Sequence, residues 1–198
     1  SEKDAILATD ALIKADLRGV ESHGVSNMLR AYLGAFKSNS LNPKPNWKIV
    51  KETPSCATIN SDNGLGIVVA PQAMEIAVEK AKKTGAGIVT MNNCGHLGML
   101  AYHSMIASDN DMIGTTMAAC SPRMVPTYSS VRALGTNPIS YSAPADKLPD
   151  FVFDAAMTSV AGNKIVLASR LNVPLSPGWI ADKDGNPIMK EISIDELN

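Results

Sequence analysis

Residues 87–106, GIVTMNNCGHLGMLAYHSMI, change character twice within one short span. Gly87 to Met91 is apolar and β-branched, as a buried strand is. Asn92 to Gly98 is a turn rich in glycine. From Gly98 onward Met99, Tyr102 and Ile106 recur on one side of a helix. A strand running through a glycine turn into a helix is the building step of α/β folds. The turn itself, where strand end and helix start converge, is where such folds often place functional groups. His96 stands in that turn.

Working outward, the neighbouring segments alternate in the same way. Pro71 marks a helix start, Met74, Ala77, Val78 and Ala81 form its buried face, and Gly85 suits its C-terminal end. Trp47–Val50 and Cys56–Ile59 read as short strands. Before them, Asn39–Pro45 with its two prolines is a linker. The N-terminal part is helical. Ala5, Ala8, Leu12 and Ala15 share one face, Ser1 and Asp4 form a capping box, and Arg18-Gly19 ends the segment. After the turn Glu21-Ser22-His23-Gly24, residues Val25, Met28, Leu29, Tyr32, Leu33 and Phe36 make one apolar stripe. Downstream, Met112–Ala119, Ile139–Ser142 and Phe151–Phe153 are strands, and Val160–Leu171 is a helix. Residues 120–138 and 174–187 are irregular, with a turn at Asp184-Gly185. The prediction is an α/β protein: a helical N-terminal segment, 1–46, then a mixed α/β region, 47–198.

Composition narrows the function. Of 198 residues, 45% are apolar and 19% charged, a globular balance, and the net charge of -1 gives no field toward nucleic acid or an anionic membrane. Cys56, Cys94 and Cys120 lie far apart, against a disulfide framework or a zinc ribbon, so a reducing, cytoplasmic setting is expected. No apolar run approaches a membrane span, and no signal peptide opens the chain. Ser1 is not an initiator methionine.

Two of the three histidines, His23 and His96, sit in glycine-rich turns, where a neutral imidazole can exchange a proton near pH 7. The plainer alternative is a turn histidine bonded to nearby backbone. His103, on the helix stripe, reads as a core-edge histidine with one satisfied nitrogen. Asp154 ends the apolar run Phe151–Phe153. It can orient a histidine or accept cofactor hydroxyls, and it can equally cap the helix after it. Leu134-Gly135-Thr136-Asn137-Pro138 is a compact turn that by its residues alone is an ordinary one. The dinucleotide fingerprint, the phosphate loop and the nucleophile elbow are all missing. No ligand spacing points to a metal site.

Taken in order, Asp16–Gly24, Gly95-His96-Leu97-Gly98, Leu134–Pro138, Asp154 with Thr158-Ser159, and Pro177-Gly178-Trp179 resemble the malate/L-lactate dehydrogenase family of the non-Rossmann type. That family includes ureidoglycolate, sulfolactate and diketogulonate oxidoreductases. The resemblance implies a mixed-sheet, non-Rossmann domain that binds NAD or NADP and acts on small 2-hydroxy or 2-oxo acids as a homodimer. It implies that His96, His23 and Asp154 are catalytic. Cys120, Ser121, Gly135, Thr136, Asn137, Pro138, Asp154, Ala155 and Ala156 are then the cofactor positions, and Ser22, His23 and Arg30 the substrate positions. There are departures. Cys120 replaces a usual serine, Leu97 stands where the family often has phenylalanine, and Asn27 stands where many members carry arginine. The run after Asp154 is also altered. Members continue well past Asn198, so the chain is expected to be a fragment. Two alternatives stand beside the dehydrogenase: a non-catalytic binding or dimerisation module of the same fold, and a metal-dependent hydrolase using the same histidines.

Overall fold

Helix α1 (Glu2–Leu17) begins on the expected capping box. The Asp4 N–H donates to Ser1 Oγ, and the Asp4 carboxylate accepts from the Ser1 amine at 3.0 Å. The helix ends at Arg18, followed by Gly19 with φ 71°. The computed structural model describes residues 1–197. The chain forms two compact units, Ser1–Thr116 with Ser140–Asp154, and Met117–Ile139 with the chain from Ala155 onward. The expected boundary after residue 46 falls inside the first unit, because the N-terminal helices share a core with later elements.

In that unit α1 and α2 (Val25–Lys37) are followed by β1 (Lys48–Glu52), β2 (Cys56–Gly64), α3 (Gly66–Thr84), β3 (Ile88–Cys94) and α4 (Ala101–Ser108). Strand β1 runs antiparallel to β2, and β2 runs parallel to β3 with α3 as the crossover. Ala57 pairs with Val89 and Ile59 with Met91. One face of α3 covers this sheet, with Val69 and Ala73 on Ile59, Val89 and Met91. Its first turn enters a second core, where Leu65, Ile67 and Val68 meet Ala11, Leu12 and Ala15 of α1, Met28 and Tyr32 of α2, and Met99, Ala101 and Tyr102. A second sheet has the order β4 (Gly114–Met117), β5 (Ile139–Ala143), β6 (Phe151–Ala155).

Four expectations shift. Helix α3 begins at Gly66, a turn and a half before Pro71. Burial of Ile67, Val68 and Val69 outweighs their poor helix propensity, and the Gln72 side chain donates to the Val68 carbonyl at 3.0 Å beside the proline. Strand β4 is shorter than 112–119, and α4 starts at Ala101, since Gly98 (φ 69°) still belongs to the turn. The stripe on α2 is wider than the core behind it. Met28 and Tyr32 are buried, while Leu29 and Leu33 remain exposed.

The second unit is loop-rich. Helix α5 (Gly162–Leu171) packs Ala168 against Leu175 and Ile192, with Ile165, Trp179, Ile180 and Ile188 around them. Gly185, with φ 88°, makes the expected turn after Asp184. Among the described residues no helix is long and apolar enough to cross a membrane.

Candidate active site

The His96 turn is tied from three sides. Asn93 (φ 48°) and Gly98 (φ 69°) take left-handed conformations at its two ends. Between them the Gly95 N–H donates to the Gly64 carbonyl at 2.9 Å, and the Ile67 N–H of α3 donates to the His96 carbonyl at 3.2 Å. Gly66 makes this approach possible. A Cβ there would lie 2.5 Å from the Gly95 oxygen and 2.7 Å from the His96 oxygen. From α4, His103 Nε2–H donates to the Leu97 carbonyl at 2.7 Å.

His23 is held just as locally, in the 3-10 turn Glu21–His23 between α1 and α2. Gly24 has no side chain to cap α2, so the Asp16 carboxylate of α1 accepts the Val25 N–H at 2.9 Å instead. The Asn27 amide donates to the Ser22 carbonyl at 2.9 Å, and Ser22 Oγ lies 2.9 Å from His23 Nδ1.

These two turns, far apart in sequence, bring the imidazoles together. Their centroids are 5.4 Å apart and the rings nearly parallel, at 17°. The Tyr32 hydroxyl lies 2.8 Å from His96 Nδ1. His96 keeps an exposed edge while protein surrounds the rest of the ring. Burial pushes the His23 imidazolium below its ordinary range. Burial, and secondly the charge of His23, push His96 down to about 4. Stacked cations repel, so the two rings disfavour being charged together, and both are neutral near pH 7. His96 is the more exposed of the two rings and the one able to meet a bound molecule.

In the second unit the Gly135 turn closes on residue 120. The Cys120 N–H donates to Asn137 Oδ1 at 3.0 Å, Gly135 packs directly on the Cys120 carbonyl, and the Met157 N–H donates to the Thr136 carbonyl at 2.8 Å. Asn137 takes φ 33°, and the Ala118 N–H donates to the Pro138 carbonyl at 3.2 Å. Cys120, Gly135, Thr136, Asn137 and Pro138 thus form one cluster. Ser121 is exposed beside it, and Ala155 and Ala156 lead into Met157. Among the described residues no three His, Cys, Asp or Glu side chains converge as metal ligands.

The family model for malate/L-lactate dehydrogenase matches residues 1–190. The chain belongs to the malate/L-lactate dehydrogenase family. It is 42% identical over 186 residues to the L-sulfolactate dehydrogenase of Methanocaldococcus jannaschii, covering 94% of this chain and 54% of that protein. It is 41% identical over 184 residues to a malate dehydrogenase of Pyrococcus abyssi, covering 93% and 50%. The malate dehydrogenase structure from Entamoeba histolytica superposes with a TM-score of 0.91 at 30% identity, over 96% of this chain and 53% of that one. The chain therefore spans about half the length of the curated relatives it matches.

Within this member of the family, Asp154 caps a helix other than the one that follows it in sequence. Its carboxylate accepts the Ala101 N–H at 2.7 Å, so it caps α4, whose own N-cap residue Leu100 has no polar side chain. Burial raises its carboxyl above the usual range against the pull of that backbone donor and of Arg18. It steadies the helix that follows the His96 turn, and the hydrogen bond it makes is to backbone, not to an imidazole. Arg30 sits exposed on α2. His103 is fully buried with one nitrogen satisfied, as its place on the helix stripe predicts. The sequence alone gives no structural role to Asp16, Gly66 or the hydroxyl of Tyr32. Tyr32 counts there as one more member of the apolar stripe. The available signal was a tyrosine within an apolar face that starts at a histidine turn.

Proposed function

We propose that this chain carries the proton-handling site of a nicotinamide-dependent oxidoreductase that interconverts a small 2-oxo acid and its 2-hydroxy acid. The observation that carries the reading is the stacked His23–His96 pair with an open edge. Reducing a ketone places hydride on carbon and a proton on oxygen. A protonated imidazole beside that oxygen supplies the proton and stabilises the alkoxide as it forms. In the reverse direction the neutral imidazole takes the proton from the hydroxyl as hydride leaves carbon.

Cys120, Ser121, Gly135, Thr136, Asn137, Pro138 and the segment Asp154–Ala156 are the positions assigned to NAD or NADP. The residues fit such a group: Gly135 gives a low backbone profile, Ser121 is exposed, and the Asn137 amide is committed to holding the turn. Bound there, a nicotinamide supplies or accepts the hydride. Ser22 and Arg30 are assigned to the substrate with His23, and the assembly is taken as a cytoplasmic homodimer by family resemblance.

The test is an assay of the protein with NADH and NADPH against a panel of 2-oxo acids, followed at the nicotinamide absorbance. His96→Ala is expected to lower kcat by about 10²–10⁴-fold, the range of a lost general acid. His23→Ala run beside it shows which ring transfers the proton. Cofactor oxidation that ignores both substitutions overturns the reading. Absence of binding by either nucleotide leaves the non-catalytic module in its place.

A further inference from the structure

Tyr32 is buried in the core between α1, α2 and α3, yet its hydroxyl reaches His96 Nδ1 at 2.8 Å, with the two rings tilted 46° and 5.9 Å apart. Burial pushes the phenol above its ordinary range, so it stays protonated and acts through hydrogen bonding alone. Gly98, at the far end of the His96 turn, keeps the space beside that hydroxyl clear, since a Cβ there would crowd Ile67 and approach the Tyr32 oxygen.

We propose that Tyr32 is a positioning residue for His96: by engaging Nδ1 it leaves Nε2 as the nitrogen that exchanges a proton with a bound molecule. The catalytic consequence rests on the oxidoreductase reading, whereas the state of the ring does not. In the imidazolium, Nδ1–H donates to the phenol oxygen and Nε2–H is the proton handed to the substrate oxygen. When that N–H bond breaks and the new O–H forms, the electron pair stays on Nε2. The Nδ1–H bond to Tyr32 persists, and Nε2 is ready to take the proton back. Without Tyr32 the neutral ring is free to place its hydrogen on either nitrogen.

The experiment uses the chain labelled with ¹⁵N-histidine, in native form and as Tyr32→Phe, which keeps the ring in the core and removes only the hydroxyl. Long-range ¹H–¹⁵N spectra read the tautomer of each histidine directly. The native chain is expected to show one dominant His96 tautomer with a hydrogen-bonded Nδ1. In Tyr32→Phe the His96 tautomer ratio is expected to move by severalfold while that of His103 stays fixed. An unchanged His96 ratio in a folded Tyr32→Phe chain overturns the proposal. In the active enzyme, Tyr32→Phe is expected to lower kcat about tenfold, the worth of one hydrogen bond, with KM nearly unchanged. A parallel fall in the thermal stability and activity of Tyr32→Phe, with no change in tautomer, marks a structural role and also overturns it. If the native enzyme reduces no 2-oxo acid, the oxidoreductase reading fails while the spectra still decide the role of Tyr32.

Discussion

The two turns singled out in the sequence, around His96 and around Gly135, are built on opposite plans. The His96 turn is held from outside. Gly64 of β2, Ile67 of α3, His103 of α4 and Tyr32 of α2 each bond to one of its atoms. The Gly135 turn is held by irregular neighbouring segments rather than by helices, with Asn137 on Cys120 and Met157 on Thr136. A turn fixed by several packed elements keeps a side chain at a set angle, which proton transfer needs. One fixed by loop contacts presents backbone and small polar groups instead.

The sharpest way to break this comparison is Gly66→Ala. The new Cβ meets backbone atoms of Gly95 and His96, which cannot swing aside as a side chain would. The expected cost is about 2–3 kcal/mol of stability, in the range of overpacking, together with separation of the stacked rings. Thermal unfolding and the His23–His96 cross-relaxation in a proton spectrum check both. Gly135→Ala also meets backbone, at Cys120, but its damage is expected to stay within the second unit and to leave the imidazole spectra untouched. Disturbed imidazoles in Gly135→Ala would show that the two turns are coupled.

These differences explain what the sequence revealed and what it concealed. Local signals were legible: the Ser1–Asp4 cap, the glycine ends of α1 and α3, and the strand–turn–helix around His96. Both candidate histidines were legible for the same reason, since each sits in a short glycine-bearing turn. Long-range facts were not. Nothing near Pro71 announces that Ile67–Val69 are helical, because tertiary burial decides it. Likewise Asp154 caps a helix far from it in sequence, and Asp16 caps α2 from the preceding helix, so neither shows in a local pattern.

Acid separates the two units next. All three histidines lie in the first unit, and burial lowers each below its ordinary range, His103 to about 4. A lowered imidazole makes the unfolded chain bind more protons than the folded one below about pH 6.5, so stability falls as pH drops from there toward 4. The fully buried His103 contributes a slope of up to about 1.4 kcal/mol per pH unit, and the exposed His96 less, through solvent screening. The raised Asp154 carboxyl works the other way, gaining stability as it protonates, and offsets part of the slope. In the second unit Asp182 is lowered by the Asn186 backbone N–H, so its acid response begins only below the ordinary carboxylate range near 3.8. Amide protection, taken relative to the intrinsic exchange rate at each pH, is therefore expected to fall in the first unit between pH 6.5 and 4, with the second unit following at lower pH. His103→Leu is expected to flatten the first unit's dependence by one proton.

Asn137→Ala gives the smallest effect and probes the self-held turn. It deletes the acceptor for the Cys120 N–H and a side chain suited to the left-handed backbone at that position. The Cys120 N–H is exposed, so water replaces the lost acceptor at little cost. The expected loss is about 1 kcal/mol, read by chemical denaturation. The better readout is nucleotide affinity. If residues 120–121 and 135–138 form a surface for NAD or NADP, loosening their one side-chain tie weakens binding several times more than it weakens folding. An Asn137→Ala protein that binds both nucleotides as tightly as the native chain would place the cofactor elsewhere, and would leave this cluster a structural turn closed on itself.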